Sequence, residues 1–384
     1  MGSIFLGLDA EDLFFHNQNP DSHAYIVEKP VESDFLEPIS LRGEEPLGKE
    51  IAADGSIFCR GERFSLPLRP WVVPRLIPEG MRKNVGAQWL EAKTRSISSV
   101  IMGGGREERS YSDWISRRMG EEVYRLLYDA YIRKRFGFEG HELSAGLARI
   151  LHFQNSKKKH FLYSAPKTAE EVRWESNIEC FGVKNSKIDS VRINGTHHHI
   201  DGPLYVALPI HQILALLPEV PKTITVDASH LCYQDQGLMK VEGDFQKFST
   251  YTHYLDPDHP WVLLYRVHER QALIWFCPSH EKEALQRAAA ESLSLISQHY
   301  RTSWIPVWRA QSHFRYRRIA TYLEKMGITL VGKRALYSHM SMPESVLLRM
   351  KHHELEISEF LRLYIEPPVR QDDLNASLFD WIVD

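Results

Sequence analysis

The sequence predicts a layered α/β fold, and three observations indicate it. An apolar run, a helical pattern and a second apolar run follow one another within residues 3–27. Further along, a buried strand at Leu204–Leu208 runs through Pro209 into a helix at Ile210–Leu217. A helical block and a strand-rich stretch separate these two steps. Such alternation is typical of a sheet with helices packed against it.

Length and composition indicate a globular protein. Of the 384 residues, 43% are hydrophobic and 25% are charged, which excludes a disordered chain. The length suggests two domains, or one large fold with an insertion. Basic residues number 47 and acidic residues 50, so the net charge of -3 gives no global attraction to nucleic acid, and no nucleic-acid partner is expected.

The cysteines and the apolar segments bear on the compartment. The four cysteines are far apart and form no CxxC pair, which argues against a zinc ribbon or a disulfide framework. The longest apolar stretch, Leu204–Leu217, is shorter than the roughly 20 residues of a membrane span. No secretory signal is recognised at the N-terminus. A cytoplasmic protein without a membrane span is therefore expected.

The front of the chain predicts a strand–helix–strand unit. Ser3–Leu6 is a short strand, Asp9–Phe15 a helix, and Ala24–Val27 a second strand that ends at Glu28. Residues 57–75 then predict a hairpin around Gly61 and an apolar segment limited by prolines. The unit at the front is the first half of a nucleotide-binding motif if its turn has the right residues.

The helical block follows a glycine-rich connector at Met102–Ser110. Ser112 is predicted to be its N-cap. Apolar side chains then repeat at helical spacing, so a continuous helix is expected. The repeating residues are Ile115, Met119, Val123, Leu126, Leu127, Ala130 and Tyr131.

The middle of the chain is rich in strand signals. Asn194–Gly195 lies between two strand-like segments, which strongly indicates a hairpin. Trp261–Val267 and Ala272–Cys277 predict two further strands joined by a polar turn. Glu281–Tyr300 is predicted to be a long amphipathic helix.

The stretch Tyr111–Leu151 carries a family signature. It contains DWISRRMG, then YIRKRFG and LSA, in that order. In these features it resembles the flavin-dependent amine oxidase superfamily, and most of all the branch that holds protoporphyrinogen oxidases, phytoene desaturases and UDP-galactopyranose mutases. The matching residues are Asp113, Trp114, Arg118, Gly120, Tyr124, Tyr131, Lys134, Gly137, Leu143, Ser144 and Ala145.

The resemblance implies an architecture. It implies a Rossmann-like FAD/NAD(P)-binding fold with an inserted helical segment and a strand-rich substrate domain. Residues 1–75 would form the first part of the nucleotide-binding domain, and residues 76–155 the helical segment. Residues 156–280 would form the substrate domain, with a return to the nucleotide-binding domain near 202–218. Residues 281–384 would form C-terminal helices and the last part of the nucleotide-binding domain.

A second segment, Leu330–Val346, resembles the family's late G-R-x-x-x-Y-x-x-M sequence, which passes near the flavin. The resemblance implies that Gly332, Arg334 and Met340 bind the cofactor and that Tyr337 contacts the substrate.

The fingerprint of the first turn is degenerate. The superfamily has G-x-G-x-x-G there, because glycine lets the backbone approach a pyrophosphate. This sequence has Gly7, Asp9 and Asp12, while Glu28 keeps the carboxylate expected at the adenosine ribose. A carboxylate about 4 Å from a phosphate costs roughly 4 kcal/mol at an effective dielectric of 20, against about 0.3 to 1 kcal/mol from the helix dipole. The aspartates would thus weaken the binding of FAD, the implied cofactor, roughly a thousandfold.

Other side chains are candidates for ligands. A pocket for an anionic substrate could contain Arg60, Arg266 and Arg315, because the guanidinium fork matches the oxygens of carboxylate and phosphate groups. The alternative for Arg315 is a basic solvated start of a helix. His197 and His199 share one face of a predicted strand, but no third ligand is evident, so a solvated strand edge is favoured and no metal is expected.

Two functions stay open at this point. The first is a divergent oxidoreductase-like flavoprotein that acts on a small substrate, either anionic or a sugar nucleotide. Few catalytic side chains need show in such a protein, because the cofactor carries the chemistry. The second is a flavin-free pseudoenzyme that binds a ligand or a protein of the same pathway as an accessory scaffold. The sequence does not indicate an oligomeric state, and whether the chain is an enzyme stays open.

Overall fold

The structure is a computed structural model of the chain. It describes residues 4–6, 23–25, 35–39, 49–51, 54–66, 73–101, 110–150, 159–163, 172–173, 177–309 and 311–337. The strands in chain order are β1 (Ile4–Leu6), β2 (His23–Tyr25), β3 (Phe35–Ile39), β4 (Lys49–Ile51), β5 (Gly55–Cys59), β6 (Glu62–Ser65), β7 (Lys159–Tyr163), β8 (Val172–Arg173), β9 (Ile178–Lys184), β10 (Lys187–Ile193), β11 (Thr196–His199), β12 (Leu204–Val206), β13 (Cys232–Glu242), β14 (Tyr251–Tyr254), β15 (Trp261–His268), β16 (Gln271–Phe276), β17 (Ser294–Val307) and β18 (Ile328–Leu330).

Helices alternate with these strands. In chain order they are α1 (Val73–Leu76), α2 (Arg82–Ile101), α3 (Tyr111–Met119), α4 (Glu121–Val123), α5 (Ala130–Phe136), α6 (Ala145–Ile150), α7 (Ile210–Ala215), α8 (Lys222–Ala228), α9 (Glu281–Ala290), α10 (Ser312–Lys325) and α11 (Gly332–Ala335). A π-helical turn at Tyr124–Asp129 joins α4 to α5, and 3₁₀ turns at Glu79–Met81 and Pro278–His280 precede α2 and α9.

A five-stranded sheet contains the two strands predicted at the front of the chain. Its order is β18-β12-β1-β2-β8, and each neighbouring pair is parallel. The predicted strands at the front of the chain are confirmed as β1 and β2. A parallel pair requires a crossover of a dozen or more residues, and residues 7–22 supply its length. The predicted helix Asp9–Phe15 falls in that interval, outside the described residues.

The strand-to-helix step in the middle of the chain is also confirmed. β12 is followed by Pro209 and then by α7. Proline is tolerated at the start of a helix because its missing N–H has no partner there in any case. Leu204, Val206 and Ile213 are buried with α10 side chains in one apolar cluster around the parallel sheet.

A seven-stranded sheet forms the second layer. Its order is β17-β13-β16-β15-β14-β5-β6, and β14 pairs with β5 in parallel while the other pairs are antiparallel. The predicted strands at Trp261–Val267 and Ala272–Cys277 are confirmed as β15 and β16. The hairpin around Gly61 is confirmed as β5–β6, with positive φ at both Arg60 and Gly61 as the two-residue turn requires.

The hairpin β5–β6 belongs to this second sheet and not to the parallel one, although it lies within the segment 1–75. The physical reason is burial: Ile57 and Phe64 are part of the apolar cluster under the helical segment. The helices α2–α6 cover that face of the sheet, and α9 covers the opposite face through Ala284 and Ala288.

Two smaller sheets complete the fold. β9, β10 and β11 form an antiparallel meander in which Asn194 and Gly195 both have positive φ, so the predicted hairpin is confirmed. β3 and β4 flank β7 in antiparallel pairing. Within the described residues, no helix combines the length and the apolar character needed to cross a membrane.

The start of the helical block differs from the prediction. Ser110, not Ser112, is the N-cap of α3, because its extended backbone lets Oγ accept from the Asp113 amide at 3.1 Å. The block is also not one helix. Gly120 at φ 94° ends α3, and Gly137 at φ 71° ends α5. Glycine adopts such angles without steric cost, so the helical spacing continues while the helix does not.

The predicted long helix Glu281–Tyr300 is wrong. Helix α9 ends at Ala290, Ser292 takes a left-handed φ of 58°, and the chain continues as β17. Residues 294–307 pair along nearly the whole of β13. This tertiary pairing decides the structure of the segment, although its apolar side chains continue the helical spacing of α9.

Candidate functional site

The candidate site lies at the carboxyl edge of the parallel sheet. The chain adds β2 on one side of β1 and later β12 on the other, so the strand order reverses between β1 and β12. At such a switch point ligands bind outside the carboxyl ends of the strands. The ends are held in register: the Ala207 amide donates to the Leu6 carbonyl and the Val331 amide to the Val206 carbonyl, both at 2.9 Å.

The segment that follows β18 forms one wall of this edge. Gly332 opens α11 with φ 74°, a conformation that favours glycine. Arg334 is 4% exposed and Tyr337 is fully buried. The segment after β18 thus places the guanidinium of Arg334 and the ring of Tyr337 in the interior near the carboxyl edge.

Three tyrosines form a cluster behind this wall, namely Tyr233, Tyr316 and Tyr337. The rings of Tyr233 and Tyr337 meet edge to face at 5.3 Å, and Tyr316 stacks on Tyr337 at 5.9 Å. The Tyr233 hydroxyl accepts from the Ile210 amide at 3.1 Å and donates to the Arg334 carbonyl at 3.0 Å. It therefore joins the start of α7 to α11.

Tyr337 joins the same wall to the seven-stranded sheet. Its hydroxyl donates to the Val307 carbonyl at 2.5 Å and accepts from the Cys232 amide at 3.2 Å. Burial raises the pKa of Tyr233, Tyr316 and Tyr337 above the ordinary tyrosine value. The hydroxyls of Tyr233 and Tyr337 therefore stay protonated near neutral pH and can donate to the backbone carbonyls they contact.

Trp308 connects the two segments that resemble the family. Its indole N–H donates to the Tyr337 carbonyl at 2.8 Å, and its carbonyl accepts from the Ser144 amide at 2.8 Å. Beside it, Arg309 pairs with Glu142 at 3.4 Å. The LSA end of the signature and the segment after β18 are thus held together through one residue. Sequence reasoning missed this role because a buried tryptophan is usually an ordinary core residue.

Two residues of the signature are buried and polar. The Lys134 ammonium donates to three carbonyls, those of Tyr254 at 2.6 Å, Asp256 at 3.0 Å and His259 at 3.1 Å. Burial lowers the pKa of Lys134 to about 8. Its role here is to hold the loop between β14 and β15.

Tyr131 connects α5 to β14. Arg135 donates to the Tyr131 hydroxyl at 2.6 Å, and that hydroxyl lies 2.7 Å from Nδ1 of His253. The Tyr131 hydroxyl thus lies between the Arg135 guanidinium and the His253 ring. The signature therefore anchors the helical segment on the seven-stranded sheet.

The arginines predicted for a substrate pocket lie on three separate elements. Arg60 is in the turn after β5, where its amide donates to Asp256 at 2.7 Å. Arg266 lies near the other end of β5, close to Asp54. Burial tends to raise the pKa of Asp54, but hydrogen bonds with Thr250 and, to a lesser degree, the Arg266 charge lower it overall. Arg315 pairs with the buried Asp227 at 3.4 Å. β5 therefore separates the first two, and whether any of the three contacts substrate stays a prediction.

Several predicted site residues cannot be placed. Gly7, Asp9, Asp12, Glu28 and Met340 lie outside the described residues. His197 and His199 lie on β11 with exposed side chains. In the described part of the chain, no group of three or more His, Cys, Asp or Glu side chains could hold a metal ion.

Comparisons with known proteins identify the fold. No family model matches the sequence, and no curated protein matches it. Among solved structures, a reduced UDP-galactopyranose mutase is similar with a TM-score of 0.68 and 11% identity, over 98% of this chain and 97% of that chain. The chain has the fold of the flavin-dependent amine oxidase superfamily. A redesigned putrescine oxidase matches with a TM-score of 0.58 and 10% identity over 98% and 99% of the two chains. Cyclohexylamine oxidase from Brevibacterium oxydans matches with 0.53 and 11% over 99% of each.

The described residues at the carboxyl edge fit the dinucleotide of a flavoprotein. The switch point between β1 and β12 is where such a group lies, and the nearby segment carries the buried guanidinium of Arg334. An arginine fork matches phosphate oxygens. A bound flavin would supply redox chemistry, while the chain would hold and orient it. The two aspartates of the degenerate fingerprint lie in the part that is not described.

Proposed function

We propose that this chain is a divergent oxidoreductase-type flavoprotein that binds FAD at the carboxyl edge of its parallel sheet. The observation that carries the proposal is the geometry of that edge: the strand order reverses between β1 and β12, and the buried Arg334 follows the neighbouring strand β18. The fold of the whole chain supports the same function, because it matches a mutase and amine oxidases over nearly their full lengths.

The proposed substrate is a small molecule, anionic or a sugar nucleotide. One protein with this fold is by its name a UDP-galactopyranose mutase, which supports a sugar nucleotide. The four side chains proposed to contact it are those that the sequence indicates, namely Arg60, Arg266, Arg315 and Tyr337. Since the Tyr337 hydroxyl donates to the Val307 carbonyl, a contribution of Tyr337 to substrate binding would come through its ring.

Absorbance tests the proposal. Protein purified without added cofactor is expected to show the flavin bands, and denaturation is expected to release FAD. The variant Arg334→Met is expected to carry less flavin, because it loses a phosphate-binding fork in a buried place. Arg317→Met, on the exposed side of α10, is the matched control and is expected to keep the wild-type flavin content. Colourless wild-type protein that FAD does not stabilise would contradict the proposal.

A second candidate is a flavin-free protein that binds a ligand or a protein of its pathway. Asp9 and Asp12 favour it, since they stand at positions of the fingerprint where the superfamily has glycine and a carboxylate there would repel phosphate. Colourless protein that gains no thermal stability from FAD, together with a double variant Asp9→Gly and Asp12→Gly that does gain it, is the result expected for this candidate.

A further inference from the structure

Two side chains between helix α5 and the seven-stranded sheet have buried donors that bond to no described residue. Gln236, on β13, is 4% exposed, and its Nε2 has no hydrogen-bond partner in the described part of the chain. Nε of Arg135, on α5, is buried and likewise has no acceptor there. Burying a donor without an acceptor costs free energy, so native folds contain few such groups. These two donors are therefore candidates for contacts with a ligand.

Gln236 faces the helical segment. It lies two residues before Leu238, and alternate residues of a strand share one face of the sheet. Leu238 is buried in the apolar cluster that contains Phe136 of α5. On the same strand, Oε1 of Gln234 would lie 3.3 Å from a Cβ on Gly137, the residue that ends α5. The end of α5 therefore covers the part of β13 that carries Gln236.

Cys277 relates the positions of Arg135 and Gln236. It follows β16, and the antiparallel pairing of β16 with β13 makes it the neighbour of Gln236. Its thiol donates to the Lys134 carbonyl at 2.6 Å, so it contacts the residue that precedes Arg135. Burial raises the pKa of Cys277, while the charges of Lys134 and Arg135 act in the opposite direction. The guanidinium and the amide thus lie near one residue, the first on the helix and the second on the sheet.

The Arg135 guanidinium has one edge that bonds to the protein and one that does not. Its Nη1 donates to the Tyr131 hydroxyl at 2.6 Å. Within the described residues it makes no other hydrogen bond, and no carboxylate there pairs with it. The remaining edge, formed by Nε and Nη2, carries two parallel N–H groups that match the two oxygens of a carboxylate. A partly buried cation without an acid beside it is stabilised by an anion.

We propose that Arg135 and Gln236 bind the carboxylate of the substrate. Nε and Nη2 of Arg135 hold the two oxygens, and Nε2 of Gln236 donates to one of them. The inference rests on the proposed function for the existence of a substrate, and it adds the chemical class of that substrate. Within the two classes proposed above, it selects a small anionic molecule over a sugar nucleotide.

Charge and surroundings select a carboxylate carried by an apolar body. The pair supplies one positive charge, because the Lys134 ammonium beside it is held by three carbonyls. A phosphate group carries about −1.5 to −2 charges at neutral pH and would stay undercompensated, whereas a carboxylate carries one. The Cζ of Arg135 lies 5.9 Å from the ring centroid of Tyr131 and 5.6 Å from that of Phe136. These aromatic rings favour an apolar group next to the carboxylate.

Calorimetric titration of the purified full chain with sodium benzoate tests the subsite. The wild type is expected to bind benzoate and to bind uncharged benzamide at least about tenfold more weakly. Arg135→Lys is expected to weaken benzoate binding about tenfold, because lysine keeps the charge and loses the two-pronged edge. Arg133→Met removes an exposed guanidinium from the same helix and is expected to keep the wild-type affinity.

Three results of the titration would overturn the proposal. The first is a wild type that does not bind benzoate. The second is an Arg135→Lys variant that binds it as the wild type does. The third is inorganic phosphate that binds more tightly than benzoate and loses its affinity in Arg135→Lys, because the site would then be one for phosphate.

Gln236→Leu distinguishes ligand binding from a structural role. The variant is expected to bind benzoate more weakly, since the carboxylate loses a donor. Without benzoate, its urea midpoint is expected to equal or exceed that of the wild type, because an apolar group replaces a buried donor that has no acceptor. A lowered midpoint with unchanged benzoate affinity would show that the Gln236 amide serves the fold and would contradict its assignment to the ligand.

The flavin absorbance of the same samples separates this inference from the proposed function. Colourless protein that binds benzoate through Arg135 would refute FAD binding and still support the carboxylate subsite. Yellow protein that does not bind benzoate would overturn the subsite and leave the flavoprotein proposal in place.

Discussion

Lys134 shows how one signature residue organises the contact between two layers. Its ammonium donates to three carbonyls of the loop after β14 and so replaces the water that these groups would bind in the unfolded chain. The sequence places a lysine there through its resemblance to the family, but the carbonyls come from a loop more than 100 residues away, which no local pattern indicates. The identity of the residue was thus predictable and its partners were not.

Replacing Lys134 by Met is expected to lower the free energy of unfolding by about 3 kcal/mol, because three buried carbonyls lose a charged donor. Arg133→Met is the matched control. The Arg133 side chain is half exposed and pairs with Asp129 and Glu139, so its loss is expected to cost less than about 1 kcal/mol. Urea unfolding measures both values. Equal losses for the two variants would show that the carbonyl contacts do not stabilise the fold.

His259, in the loop that Lys134 holds, is expected to make stability depend on acid. Its Nδ1 accepts from the Trp261 amide at 3.2 Å, so the neutral ring fits the fold. Burial and, to a lesser degree, the Lys134 charge lower the pKa of His259 to about 3. In the unfolded chain the pKa is about 6.5. Between these values the unfolded state binds more protons, so stability falls as the pH falls from about 6.5 to about 3.

The variant His259→Asn isolates this contribution, because an amide oxygen can accept from Trp261 without titrating. The wild type is expected to lose about 1 to 2 kcal/mol more than the variant between pH 7 and pH 5. Chemical unfolding at a series of pH values gives the difference. Parallel pH profiles for the two proteins would mean that folding does not lower the pKa of His259.

Among the secondary-structure elements, α3 shows where local patterns suffice and where they do not. The helical spacing from Ile115 onward predicts helix correctly, while the position of the cap depends on backbone angles. Ser110 and Ser112 are both plausible caps from residue type alone, and the extended backbone of Ser110 decides between them. In the same way, the periodicity after Glu281 does not show that α9 ends at Ala290 or that the residues after it pair with β13.

Removing the cap tests the assignment. Ser110→Ala is expected to lower the free energy of unfolding by about 1 kcal/mol, because the Asp113 amide loses its acceptor. Ser112→Ala, inside the first turn, is expected to cost less than about 0.5 kcal/mol. Thermal or urea unfolding of the two variants distinguishes them. A larger loss for Ser112→Ala would mean that α3 begins at the later serine.

At the level of the whole molecule, the parallel sheet was largely predictable and its partner sheet was not. Local patterns of strand, turn and helix predict β1, β2 and β12. The long crossovers between these strands predict that they pair in parallel. The placement of β5–β6 beside β14 depends on contacts far apart in the sequence. The sequence named Gly332, Arg334 and Tyr337, and the structure places them after β18, while their roles toward a ligand stay a prediction. Tyr233 and Trp308, which contact this segment, resemble ordinary core aromatics in the sequence.

The dinucleotide edge is the feature on which the functional proposal depends, and thermal unfolding with FAD examines it most directly. The double variant Asp9→Gly and Asp12→Gly restores two glycines to the fingerprint. It is expected to gain stability with FAD, about 2.7 kcal/mol at a hundredfold excess over Kd, and to gain more than the wild type does. If FAD stabilises neither protein, the carboxyl edge of the parallel sheet is not a dinucleotide site.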